Sequence, residues 1–105
     1  MDDYDIEYER ENQIEAWFEK YSMTEHTEFE RIEQKRHIRP DMCAMLYLHE
    51  KFGGTGDAVC AAGHDEIWLD WRPADLAILT EADVVYLSRC GVRYDSRVNR
   101  FMMFV

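Results

Sequence analysis

Basic residues are scarce in this chain, and so are the residues that interrupt regular structure. Only 12 Lys and Arg stand against 22 Asp and Glu, for a net charge of −10. A field of that sign repels nucleic acid and anionic membrane and attracts basic partners. Neither direct nucleic-acid binding nor membrane binding is therefore expected. With two prolines and five glycines there is no linker-like tract, and no internal repeat or low-complexity segment stands out. Cys43, Cys60 and Cys90 are an odd number at wide spacing, without a CxxC pair. That argues against a disulfide framework and agrees with a reducing compartment. No stretch approaches the roughly 20 apolar residues of a membrane helix. Met1-Asp2-Asp3-Tyr4-Asp5 is acidic where a secretory signal is basic and then apolar, so a soluble cytoplasmic protein is expected.

What is present is globular: 47% apolar and 13% aromatic residues over 105 positions, enough for one modest core. A single domain over 1–105 is expected, with an acidic helical part at 1–52 and a hairpin–helix–hairpin part at 57–105. The charge follows that division. Residues 1–35 hold 12 acids and 4 bases, whereas residues 67–105 hold 5 of each.

Residues 5–21 read as a helix, with Ile14, Trp17, Phe18 and Tyr21 forming one apolar stripe. Glu7, Glu11, Glu15 and Glu19 recur every fourth residue and form a second row, about 6 Å apart along the axis. Thr27 with Glu30 has capping-box spacing, which predicts a short helix over about 28–37 carrying Glu28, Glu30 and Glu33 on its wet side. Lys35, Arg36, His37 and Arg39 place bases at its end, where the helix dipole favours them. Pro40 opens a third helix reaching about Phe52, with Met42, Met45, Leu46, His49 and Phe52 expected inward and Gly53-Gly54 as its stop. The glycine stretch 53–56 lacks the Lys and Ser/Thr of a phosphate loop and ends a helix instead of beginning one, so it reads as a connector.

From Asp57 the period changes to two. Residues 58–62 and 67–71 form a predicted hairpin around Gly63-His64-Asp65, with Trp68 and Trp71 expected on opposite faces of the second strand. Thr80 with Asp83 caps a helix over about 81–90, with Val84, Leu87 and Ser88 inward and Gly91 as its stop. Residues 92–95 and 100–105 make a second hairpin around Ser96-Arg97-Val98-Asn99. The terminal run Phe101-Met102-Met103-Phe104-Val105 reads as a strand buried on both faces. The order ααα-ββ-α-ββ predicts an α+β domain, helices packed on a small four-stranded, mostly antiparallel sheet.

Three constellations bear on chemistry. Cys43, His49, Cys60 and His64 are residue types that zinc accepts, but they have no tight Cys pair, and no metal or cofactor is expected. His64, Asp65 and Glu66 could centre a small hydrolase or metal site, although a turn favours Asp for backbone reasons alone. No cysteine has the flanking signature of a nucleophile. The aromatic load is more suggestive. Trp17, Trp68 and Trp71 with six tyrosines, beside acids and Arg, have the composition of an interface. The alternative is that helices cover one sheet face and an aromatic–arginine layer covers the other.

These features favour a non-enzymatic protein that binds a basic surface of another protein, with a nucleic-acid-binding protein as the natural target. Glu7, Glu11, Glu15, Glu19, Glu28, Glu30, Glu33, Trp68 and Trp71 are the candidate contact residues. In size and charge the chain is similar to the small acidic inhibitors that phages and other mobile elements direct against DNA- or RNA-guided defence systems. An acidic antitoxin or adaptor shares that physics and differs only in its partner.

Overall fold

Period-two patterning after the glycine connector carries over directly into strands. A computed structural model describes residues 3–21, 29–54, 58–73, 76 and 78–104, with backbone alone for 3–8. Its elements run α1 (Asp3–Tyr21), a 3-10 turn (Phe29–Arg31), α2 (Pro40–Phe52), β1 (Val59–Gly63), β2 (Glu66–Leu69), α3 (Glu81–Arg89), β3 (Arg93–Asp95) and β4 (Arg100–Phe104). Among the described residues the architecture is α+β: three helices and one antiparallel sheet of order β1-β2-β4-β3. No helix among the described residues is long and apolar enough to cross a membrane.

Ile14 and Phe18 of α1 are buried, and Trp17 and Tyr21 lean half-buried on the same core. The predicted second helix is absent. Phe29–Arg31 makes one 3-10 turn closed by the Ile32 N–H on Phe29 O (3.1 Å), and the chain is irregular to Arg39. A short helix needs an apolar face to hold it. Here Ile32 is buried, but the next apolar residue, Ile38, is 88% exposed. Thr27 and Glu28 lie outside the described residues.

Pro40 does open α2, after an extended Arg39, and Gly53 ends it at φ 86°. The inward face is not the predicted one. Cys43, Ala44, Tyr47 and Leu48 are buried, while His49 is exposed, Met42 is 38% exposed, and Met45, Leu46 and Phe52 are half-buried. At 3.6 residues per turn this turns the helix by about half a revolution. The small Cys43 and Ala44 are buried, and α2 meets α3 through side chains, with Tyr47 stacked on Tyr86 at 3.9 Å between ring centres.

The β1–β2 hairpin turns on His64-Asp65, with Asp65 at φ 62° and Gly63 already paired to Glu66. β2 stops at Leu69, so Trp71 does not share a strand with Trp68. Trp71 is buried beyond the strand's end, donating its indole N–H to Gly53 O (3.0 Å).

Thr80 caps α3 as predicted, with a reciprocal capping box to Asp83. Val84, Leu87 and Ser88 face inward, and Gly91 follows at φ 86°. The β3–β4 hairpin turns on residues 96–99.

One prediction for β4 fails. Phe101 and Met103 are buried against the helices, with Phe101 at 0% exposure and ring-to-ring with Phe18. Phe104, on the opposite face, is 58% exposed, and Met102 is only half-buried. Among the described residues the helices pack on the face of Phe101 and Met103, and the face of Phe104 is left to its own side chains.

Candidate protein-binding surface

α1 packs on α3 and on the edge strand β3. Its sequence holds seven acids and two bases. Both bases are engaged by the rest of the protein, Arg10 half-buried and Lys20 in an exposed pair. Arg10 donates to Leu76 O (3.2 Å), Leu79 O (2.7 Å) and Gln13 Oε1 (2.8 Å), and its guanidinium lies 5.6 Å from the Trp17 ring. Lys20 pairs with Glu81 of α3 at 3.1 Å, and the Tyr21 hydroxyl donates to the same carboxylate at 2.8 Å. Those two hydrogen bonds, the tyrosine's first, hold the Glu81 carboxyl below its ordinary range.

The glutamate row is not the separate ridge that its spacing suggested. A step of four residues overshoots one helical turn by about 40°, so the row winds around α1. Glu11 and Glu15 flank Ile14 and Phe18 and are half-buried, whereas Glu19 is exposed. The Glu7 side chain and all of Glu28 lie outside the described residues. Glu30 and Glu33 are exposed on and just after the 3-10 turn.

Glu15 and Glu19 form one wall of a groove of about 370 Å³, and Arg93 and Arg97 help to form the other. The groove leads onto the open face of the sheet. There Trp68 of β2 donates its indole N–H to Asp95 Oδ2 of β3 (3.1 Å) across β4. Arg97 holds the same carboxylate through its Nε and Nη2 at 3.0 and 2.9 Å. Arg97 first, against the opposing effect of burial, and then Trp68 bring the Asp95 pKa down to about 2. The Arg93 guanidinium lies 5.6 Å from the Phe104 ring. This is an aromatic–arginine layer, as one of the two sequence readings expected. It is incomplete, because Phe104 and Val98 stay exposed. Beside it a second hollow of about 350 Å³ is lined by Cys60, Ala61, Trp68, Val98 and Arg100.

Other candidates are dispersed. His64 and Asp65 are exposed at a hairpin tip, and Glu66 lies on the open face opposite Phe104. Cys43 is buried on α2, His49 exposed on the same helix, and Cys60 exposed on β1. Among the described residues no group of three or more His, Cys, Asp or Glu is gathered as a metal would require.

Sequence reasoning missed the polar cluster between α2 and α3. Asp83 is 0% exposed and accepts hydrogen bonds from Lys51, the Tyr47 hydroxyl, and the Thr80 N–H (2.8 Å) and hydroxyl (3.0 Å). Burial pushes its pKa up, but these donors outweigh that and hold it below the usual carboxylate range. Arg36 pairs with Glu50 and spreads over the Tyr47 and Tyr86 rings at 4.8 and 5.3 Å. One signal was available. Cys43 with Tyr47 and Tyr86 with Cys90 are i, i+4 pairs in mirrored order, as two antiparallel helices sharing a seam require.

No protein-family model, no curated protein and no solved structure matches this chain.

Proposed function

We propose that the protein acts by binding and carries no enzymatic activity, offering the acidic side of α1 and the adjoining open sheet face to a basic surface of another protein. A nucleic-acid-binding protein is the natural target, because an acidic helix imitates the phosphate backbone that its basic groove binds. Inhibition of a DNA- or RNA-guided defence system by a phage-type inhibitor is the specific form of this reading. The observation that carries it is the placement of Arg10 and Lys20. Both are committed to Leu76, Leu79 and Glu81, so the two bases of a helix whose sequence holds seven acids are engaged by the rest of the protein. The Trp68, Met102 and Phe104 face beside that helix adds apolar contact area of the kind that supplies binding energy.

A salt-dependent pull-down from host lysate identifies the partner, since screening weakens an acidic interface. With the partner in hand, changing Glu7, Glu11, Glu15 and Glu19 together to Gln is expected to weaken binding at least tenfold, about 1.4 kcal/mol, and to flatten the salt dependence. Unchanged affinity in that variant would sink the reading.

A further inference from the structure

The hollow beside Trp68 has the size and lining of a small-molecule site. Its volume of about 350 Å³ falls within the roughly 300–1,000 Å³ of such sites. Cys60 and Ala61 of β1, Trp68 of β2, and Val98 and Arg100 of the β3–β4 hairpin line it. Four of these are apolar and the fifth is a cation. The aromatic wall is fixed at both ends. Trp68 donates its N–H to Asp95 Oδ2 (3.1 Å), and the opposite edge of its ring lies by Gly63, where a Cβ would come within 3.5 Å of Cζ3. Ala61 faces Trp68 across the strand pair, and its short side chain leaves room beside the ring.

Arg100 sets the chemistry. Lys20, Arg36, Arg39, Lys51 and Arg97 each reach a carboxylate. Arg100 reaches none among the described residues, although acids outnumber bases 22 to 12 in this chain. Its Nη1 donates only to Val98 O (3.4 Å) and Asn99 O (3.2 Å), and its buried Nε has no partner. A half-buried guanidinium with unused donors beside an apolar wall attracts an anion, because charge-assisted hydrogen bonds strengthen away from water. One cation, with no second base in the lining, matches a single negative charge. The net charge of −10 disfavours polyanions.

We propose that this hollow binds a small apolar monocarboxylate, its body against Trp68, Ala61 and Val98 and its carboxylate at the Arg100 guanidinium. The site needs no protein partner, so the isolated chain serves for the test and the outcome does not depend on the acidic helix.

Cys60 lines the hollow and is exposed, whereas Cys43 and Cys90 are buried. Alkylation of Cys60 by N-ethylmaleimide, read by mass spectrometry, therefore reports occupancy. Naphthoate and octanoate are titrated against the native protein, each beside its uncharged amide. At least one acid should slow Cys60 alkylation saturably, with half-protection at a concentration about tenfold lower than its amide requires. Arg100→Gln should abolish that difference, and Arg100→Lys should restore part of it. Val98→Glu, at an exposed lining position, should block protection by the acid. No protection by either acid, equal protection by acid and amide, or an acid preference that survives Arg100→Gln would each overturn the assignment. Should a variant fail to fold, the acid–amide comparison in the wild-type protein still decides.

Discussion

Trp68 and Asp95 are joined across the open face of the sheet, indole N–H to carboxylate at 3.1 Å, with β4 running between their strands. The bond holds Trp68 on the face where Phe104 and Val98 stay exposed, and it leaves the carboxylate shared with Arg97.

Asp95 makes stability depend on pH in a definite direction. Its folded pKa of about 2 lies below the roughly 3.9 of an unfolded aspartate. The contribution is therefore complete above about pH 4 and is lost as pH falls through the folded value. Allowing for the exposure of Arg97, it is on the order of 1–2 kcal/mol. Urea midpoints taken at pH 5 and pH 2.5 should differ less in Asp95→Asn than in the parent. An equal drop in both would assign the acid sensitivity elsewhere, with Asp83 the next candidate because its pKa is also depressed.

Asp83 should be the least replaceable polar residue. Asp83→Ala strands Lys51 and Tyr47 and removes half of a capping box, so a loss of roughly 3–5 kcal/mol is expected. Thr80→Ala removes only one part of the cap and should cost about 1 kcal/mol. Thermal melts of the two variants side by side test this order.

Phe101 and Phe104 share a strand but not a fate. Phe101→Ala empties a site at the centre of the core and should cost roughly 3–5 kcal/mol. Phe104→Ala removes an exposed ring that lies beside the Arg93 guanidinium, and it should cost under about 1 kcal/mol. Comparable losses in denaturant titrations would mean that the open face is covered after all.

On α2, the faces can be told apart by enlargement. Ala44→Leu drives side chain into a fully buried site and should destabilise by about 1–3 kcal/mol. Met42→Lys, on the exposed side, should be close to neutral. Circular dichroism melts decide between this orientation and the one that hydropathy alone suggests.

Local features were the legible ones. The Thr80–Asp83 box, Pro40 at a helix start, Gly53 and Gly91 at helix ends, and both hairpin turns depend on residues a few positions apart, and sequence shows those directly. The inward face of α2 was misread because Met42, Met45 and Leu46 outrank Cys43 and Ala44 in hydropathy. Burial on α2 follows contacts with another helix instead, where Cys43 meets Tyr86 and Tyr47 meets the Asp83 carboxylate. The terminal strand was misread for a related reason. An apolar run shows that a strand can be buried, whereas the number of covering layers depends on the whole chain. For the candidate surface, the acidic row was visible at once. The engagement of Arg10 and Lys20 by residues beyond 75 was not, because those partners are distant in sequence.

The strand order also sets how the chain reaches its fold. β1 with β2 and β3 with β4 close over turns of two and four residues, and such hairpins form within microseconds. The pairing of β2 with β4 matches Glu66 to Phe104, so most of the sheet half, α3 included, must be gathered before that seam can close. Loop-closure entropy is paid there and rewarded late, which makes this the slow step. Substitutions along the seam, at Ile67 or Met103, should therefore slow refolding, while those at the outer ends of the hairpins should mainly hasten unfolding.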